Sequence, residues 1–365
     1  MATRTPNTPP ERTRPLLFDA FPSLAGALPW LPLARTPTTV EPLPAPVSAQ
    51  AAGLWMKRDD QISPIYGGNK VRRYEFLLAA ARAAGARTLV TAGGLASTQV
   101  MATTLFGRAL GFAVRAVLFD QPITRFAQRS LLGYVSGGAE LAYGGGYAST
   151  ALRLAAARAR TRDSFLILPG APDPISNLGY LDAMLELAAQ VDRGVLPRPD
   201  AIVLPTGSSG TLAALALGAR WLGWPTEIVG VRITSAIACN RVSVGAIIAA
   251  TDWFMARRSK DWRQGRGGVR YRLDGSQLGE GYGHPTAAAI DGAHTYGVWT
   301  GRTGEVTYSG KAVAAFHRFA CSPAARGKHV LLWNTLSSVE PPLAPDAADR
   351  VPPSLRWVLE AQPVA

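Results

Sequence analysis

The 365-residue chain is 47% apolar and 17% charged, a globular composition that excludes a disordered protein. Its formal net charge of +13 comes from scattered arginines with no zinc-finger, homeodomain or RRM pattern beside them, so no nucleic-acid partner is expected. Two distant cysteines, Cys239 and Cys321, and four histidines without helical metal-ligand spacing argue against a disulfide framework and a metal site.

The length favours two lobes or one large α/β unit. Residues 1–15 read as a disordered arm of Thr, Pro and Arg. The apolar stretch 16–33 is broken by Pro22, Pro29 and Pro32, so it should wrap over a surface rather than form one helix. Residues 54–58 read as a short strand ending at Asp59-Asp60, and a glycine turn, Tyr66-Gly67-Gly68-Asn69-Lys70, follows. From 70 to 84 apolar residues recur at Val71, Tyr74, Leu77, Leu78 and Ala81, which predicts a helix closed by Gly85.

Strands are then expected at 88–91, 113–119, 140–143, 165–168, 201–204 and 227–231. Helices are expected between them at 97–110, 125–135, 148–160, 177–191 and 210–222. This alternation means parallel βαβ units, whose ligand sites lie at the carboxyl ends of the strands. Further on, a helix running to about Arg258, a loop over 260–268, helices at 284–296 and 311–321, a buried strand at 330–333 and a proline-rich tail with one short helix complete the reading. With no run of about 18 apolar residues and no signal-like start, the protein is expected to be soluble and cytoplasmic.

Three places carry candidate chemistry. Of 38 basic residues only Lys57, Lys70, Lys260, Lys311 and Lys328 are lysines. A desolvated lysine can release its proton and attack a carbonyl, which an arginine cannot, so Lys70 at a helix start is a candidate nucleophile; the alternative is a surface lysine after a turn. The run Thr206-Gly207-Ser208-Ser209-Gly210-Thr211 joins an apolar strand to an alanine-rich helix. Its amides and hydroxyls suit a single phosphate, and without Gly-Lys-Ser/Thr it is no Walker loop; a plain capped turn uses the same residues. Ser97-Thr98-Gln99 stands at another helix start, able to meet a carboxylate or to cap the helix. Tyr282 and Tyr308 are each either active-site or core residues.

A lysine at one helix start and a lone-phosphate cradle at another describe a site for pyridoxal phosphate. The strings Lys57-Arg58-Asp59-Asp60, Tyr66 to Arg72 and Glu75-Phe76-Leu77-Leu78 resemble the D-cysteine desulfhydrase and 1-aminocyclopropane-1-carboxylate deaminase family. So do Asn177-Leu178-Gly179-Tyr180 and Tyr308-Ser309-Gly310-Lys311, and the likeness covers most of the chain.

That resemblance implies an α/β fold of two open, mostly parallel twisted sheets flanked by helices, with pyridoxal 5′-phosphate in the cleft between two domains. Residues 16–84 and 195–340 would form the large cofactor-binding domain, 85–194 the smaller one, and 341–365 a tail. It implies that Lys70 forms the Schiff base and moves protons at the substrate α-carbon. Thr206 to Thr211 would hold the phosphate with Arg73 nearby, and Ser97 would contact the substrate carboxylate. Tyr282 and Tyr308 match the two active-site tyrosines, the substrate would be a small amino acid, and the assembly a homodimer.

Departures from the family pattern bear on the reaction. Thr98 stands in place of an asparagine beside the ring hydroxyl, and Gln99 is the deaminase-like choice. Ser309 replaces the deaminases' glutamate at the pyridine nitrogen, which favours β-elimination over ring opening, unless Thr335 or another group stands there. Ala96 and Thr98 leave a β-replacement or other biosynthetic reaction open, and a homologue that only binds a phosphate ligand is the remaining alternative.

Overall fold

The computed structural model describes residues 13–170, 172–264 and 267–364. Most of the expected arm over 1–15, and two residues of the expected loop over 260–268, lie outside them. Two short helices, α1 (Leu16–Ala20) and α2 (Pro22–Ala25), lead in, with Pro22 opening the second. Then come β1 (Val40–Pro42), β2 (Gly53–Lys57), α3 (Lys70–Ala83), β3 (Thr88–Gly94), α4 (Thr98–Ala109), β4 (Ala113–Phe119) and α5 (Arg125–Ser136). They are followed by β5 (Glu140–Gly145), α6 (Tyr147–Arg160), β6 (Ser164–Ile167), α7 (Pro174–Asp192), β7 (Ala201–Thr206), α8 (Gly210–Trp221) and β8 (Glu227–Arg232). The chain continues through α9 (Arg241–Ala256), β9 (Tyr271–Asp274), α10 (Ala287–Thr300), α11 (Ser309–Ala320), β10 (His329–Trp333) and α12 (Trp357–Glu360).

These strands form two sheets. One has six strands in the order β1-β2-β10-β7-β8-β9, the other four in the order β5-β4-β3-β6. Every pairing is parallel except β1 with β2. All six residues of β7 are buried, as a strand covered on both faces requires. The two-sheet α/β architecture matches the expectation from sequence. Two strands went unread, β1 and β9; both are short and sit at the edges of the larger sheet.

Helices cover each layer. α7 packs on α3 and α8, and α10 on α11. The last segment is held down: Ala347, Val351, Leu355 and Val358 enter the core that contains Leu89, Val100 and Leu131. Gln128 Nε2 donates to the carbonyls of Val358 and Ala361 at 3.1 and 2.9 Å. Among the described residues, no helix is long and apolar enough to cross a membrane.

Candidate active site

The lysine turn is built on a buried ion network. Arg72, one turn into α3, donates to both Asp59 oxygens at 2.8 and 2.9 Å and to Glu186 of α7 at 3.0 Å. Lys57 at the end of β2 reaches the same Glu186 at 2.5 Å, and Arg58 grips Asp60 through two bonds of 2.8 and 2.9 Å. These charges are almost wholly out of water, so each depends on its partner. They fix the chain on both sides of the turn.

The turn itself needs its glycines. A Cβ on Gly67 would lie 1.8 Å from the Asp60 carbonyl oxygen, and Gly68 adopts φ +85° with its amide on the Asp59 carbonyl. The Asn69 amide donates to Thr335 O at 3.2 Å, which ties the turn to the chain leaving β10. Lys70 thereby enters the cavity as the first residue of α3. Its amine donates to Asn69 Oδ1 at 3.2 Å, and burial, with Arg73 close by, lowers its pKa to about 7.

The phosphate-loop candidate stands at the carboxyl end of β7. Ser209 is left-handed, at φ +66°, and α8 begins directly after it with no side chain capping its amides. Among the described residues, the amides of Gly207, Ser208 and Ser209 donate to no protein group. Successive open amides at a helix N-terminus form a nest for an anion. Asn69 Nδ2 reaches Thr211 Oγ1 at 3.3 Å, joining the lysine turn to this loop. Arg73 lies beneath it: its guanidinium donates to Ser176 Oγ, Asn177 Oδ1 and the Gly170 carbonyl, and Ser208 Oγ donates to that same carbonyl.

At the start of α4, Ser97 Oγ accepts from the Val100 amide at 3.3 Å as an N-cap while still lining the cavity beside Thr98. Ser97 therefore caps α4 as one of its two sequence readings has it, and stands on the cavity wall as it does so. Gln99 also lines the cavity, and its Nε2 donates to Thr91 Oγ1 and Leu168 O at 3.0 Å each. Tyr282 and Tyr308 meet through their hydroxyls on the cavity wall, and burial raises the pKa of both, so both stay neutral at ordinary pH.

Ser309 is placed differently from its expected position. It does not line the cavity; its hydroxyl donates to the Glu305 carbonyl at 2.9 Å. Glu305 in turn accepts the amides of Thr307, Tyr308 and Ser309 and so caps α11 with its carboxylate. Thr335, at the carboxyl end of β10, does line the cavity. Among the described residues lining it there is no aspartate or glutamate.

Sequence reasoning missed Gly170, Asn69 as the bridge to Thr211, and Glu305. A carbonyl carries no sequence signal, and Glu305 precedes Tyr308 by three residues, a capping spacing legible only once the helix start is known. The residues brought together fit pyridoxal phosphate. An amine near neutrality suits its aldehyde, open amides suit its phosphate, and a cavity of about 720 Å³ connects the two.

Comparison with known proteins agrees with this geometry. A family model described as pyridoxal-phosphate dependent enzyme matches residues 31–335. Over 215 residues the chain is 36% identical to nocardicin C-9′ epimerase of Nocardia uniformis subsp. tsuyamanensis, covering 57% of this chain and 64% of that protein, just under two thirds. Over 295 residues it is 29% identical to D-cysteine desulfhydrase of Salmonella schwarzengrund, covering 78% and 87%. Among solved structures, an ACC deaminase homologue superposes with a TM-score of 0.72 at 25% identity, covering 91% of this chain and 97% of that one. A cysteine synthase from Entamoeba histolytica shares the fold at 15% identity and a TM-score of 0.59, covering 98% of each chain. With a half-buried lysine sharing one cavity with an anion nest and the family model spanning most of its length, this chain belongs to the pyridoxal-phosphate-dependent enzymes.

Proposed function

We propose that the protein is a lyase or deaminase that removes the α-proton of an amino acid and expels a β-substituent, releasing a 2-oxo acid and ammonia, and that it works as a homodimer. The observation that carries this reading is the desolvated Lys70 amine, bonded to Asn69, which in turn reaches Thr211 of the loop whose amides at 207–209 stand open. When bound, pyridoxal phosphate supplies an electron sink for the bonds at the substrate α-carbon. The nest and Arg73 hold its phosphate. Ser97 and the α4 N-terminus orient the substrate carboxylate, and the freed Lys70 amine takes the α-proton. Neutral Tyr282 and Tyr308 donate a proton to the departing group.

The balance is simple. The Cα–H pair becomes the new double bond, the Cβ–X pair leaves with X, and the released enamine takes up water to give the 2-oxo acid and ammonia. Elimination is preferred to opening a cyclopropane ring because, among the described residues, the cavity wall offers hydroxyls, Thr335 among them, and no carboxylate to keep a ring nitrogen protonated. The resemblance to a D-cysteine desulfhydrase supports the same choice. Borohydride reduction should fix the cofactor mass on Lys70, and D-cysteine or β-chloro-alanine should yield 2-oxo acid; a protein unlabelled at Lys70 and silent with every β-substituted substrate sinks the proposal. Light scattering tests the dimer, and a monomeric mass at micromolar concentration overturns it.

A second reading is epimerisation, favoured by the Tyr282–Tyr308 pair, which gives the cavity a proton donor besides Lys70, and by the likeness to an epimerase. Deuterium from solvent at the α-carbon of recovered substrate, without 2-oxo acid, is its signature.

A further inference from the structure

The cavity runs well past the groups assigned above. At interior packing density a phosphopyridine of about 16 heavy atoms and a three-carbon amino acid fill on the order of half of its volume. The remainder is a chamber between the two layers, walled by Tyr147, Ala151 and Leu154 of α6 on one side, and by Ile233 with Ala246 and Ile247 of α9 on the other. Positions 147, 151 and 154 follow the i, i+4, i+7 spacing of one helix face, so α6 turns an apolar stripe into this space. Ala151 and Ala246, both solvent-exposed, put the smallest side chains on its two sides.

An aromatic row leads into the chamber. The Tyr308 and Tyr282 rings lie 6.1 Å apart, Tyr282 and Phe119 6.1 Å, and Phe119 and Tyr147 4.9 Å. Tyr147 stands where the chamber opens to solvent and is 63% exposed. One polar atom is buried here: Thr150 Oγ1, 4% exposed as a residue, lines the cavity and has no partner among the described residues. A thiomethyl-sized side chain would leave these apolar walls against water, whereas ligand pockets bury most of their occupant.

We infer that the site takes an α-amino acid with a bulky, aryl-sized apolar side chain, seated between α6 and α9 against the Phe119–Tyr147 pair. This rests on the proposed function in placing the reacting carbon at Lys70 and Ser97. As a β-substituent, such a group leaves as an aryl or benzyl thiol when the Cβ–S bond breaks, the sulfur keeping the electron pair.

The test is a titration of the holoenzyme followed through its cofactor absorbance, using both enantiomers of alanine, phenylalanine and S-benzyl-cysteine. The aryl amino acids of one hand should saturate the spectral change at concentrations at least ~10-fold below alanine. Ala246→Trp, and independently Ala151→Phe, should fill the chamber and bring that ratio toward one, with cofactor absorbance confirming that each variant is folded and loaded. Equal affinity for alanine and the aryl amino acids in the parent protein, or a preference that survives both substitutions, overturns the inference. Release of 2-oxo acid from β-chloro-alanine is measured alongside; its absence counts against the lyase reading while the binding ratio still decides the chamber.

Discussion

Lys70 shows how much a single half-buried amine settles. Burial and the neighbouring Arg73 bring its pKa from an ordinary 10.5 to about 7, so the neutral, nucleophilic form accumulates as pH rises through 7. Uptake of pyridoxal phosphate by the apoprotein, followed by absorbance, should therefore accelerate with pH and level off above about 8. The stability sign follows from the same shift. Between about pH 7 and 10.5 the unfolded chain keeps a proton that the folded one has released, so raising pH across that window stabilises the apoprotein, and Lys70→Met should remove this slope. The lysine was legible in the sequence because lysine is scarce there. The reason for its lowered pKa was not, since burial belongs to the assembled structure. Glu305 is the converse case, a carboxylate invisible as a functional residue that anchors the helix after Tyr308. Glu305→Ala should cost about 2–3 kcal/mol by denaturant unfolding, because three amides lose their acceptor.

Among the elements, the turn before α3 has the least tolerance. Gly67→Ala places a methyl within 1.8 Å of the Asp60 carbonyl oxygen, and Gly68→Ala both forces a left-handed alanine and meets Thr335 O at 2.4 Å. Each should lower unfolding free energy by about 1–3 kcal/mol and slow cofactor uptake, with Gly67→Ala the more severe. An unchanged denaturation midpoint for Gly67→Ala would show that the turn yields. Helices with long apolar periods, such as α3 and α8, were read from the sequence to within a residue or two, whereas β1 and β9 were missed. Three- and four-residue edge strands have no period to detect, and Pro42 within β1 argues against a strand except at an edge.

For the whole molecule, the Lys57–Glu186–Arg72–Asp59 network joins β2 and α3 to Glu186 of α7, more than a hundred residues further along the chain. Glu186→Ala strands Lys57 and part of Arg72 without a counter-charge. It should cost about 3–5 kcal/mol and lower Tm markedly in calorimetry. The Lys57-Arg58-Asp59-Asp60 string was visible as a family likeness, yet its physical purpose was not, because its partner Glu186 comes from a distant helix.

The position of β10 has a consequence for how the protein is made. His329–Trp333 is the last strand synthesised, yet it pairs on one side with residues 53–57 and on the other with residues 201–203. Until it leaves the ribosome, the larger sheet has a gap at its centre, and neither Thr335 nor the support it gives the lysine turn is in place. The nascent chain therefore cannot assemble its cofactor pocket before β10 has emerged. Loading must await that strand, and this late, non-local closure is the step at which a folding helper or an early-bound cofactor would have the most influence on yield.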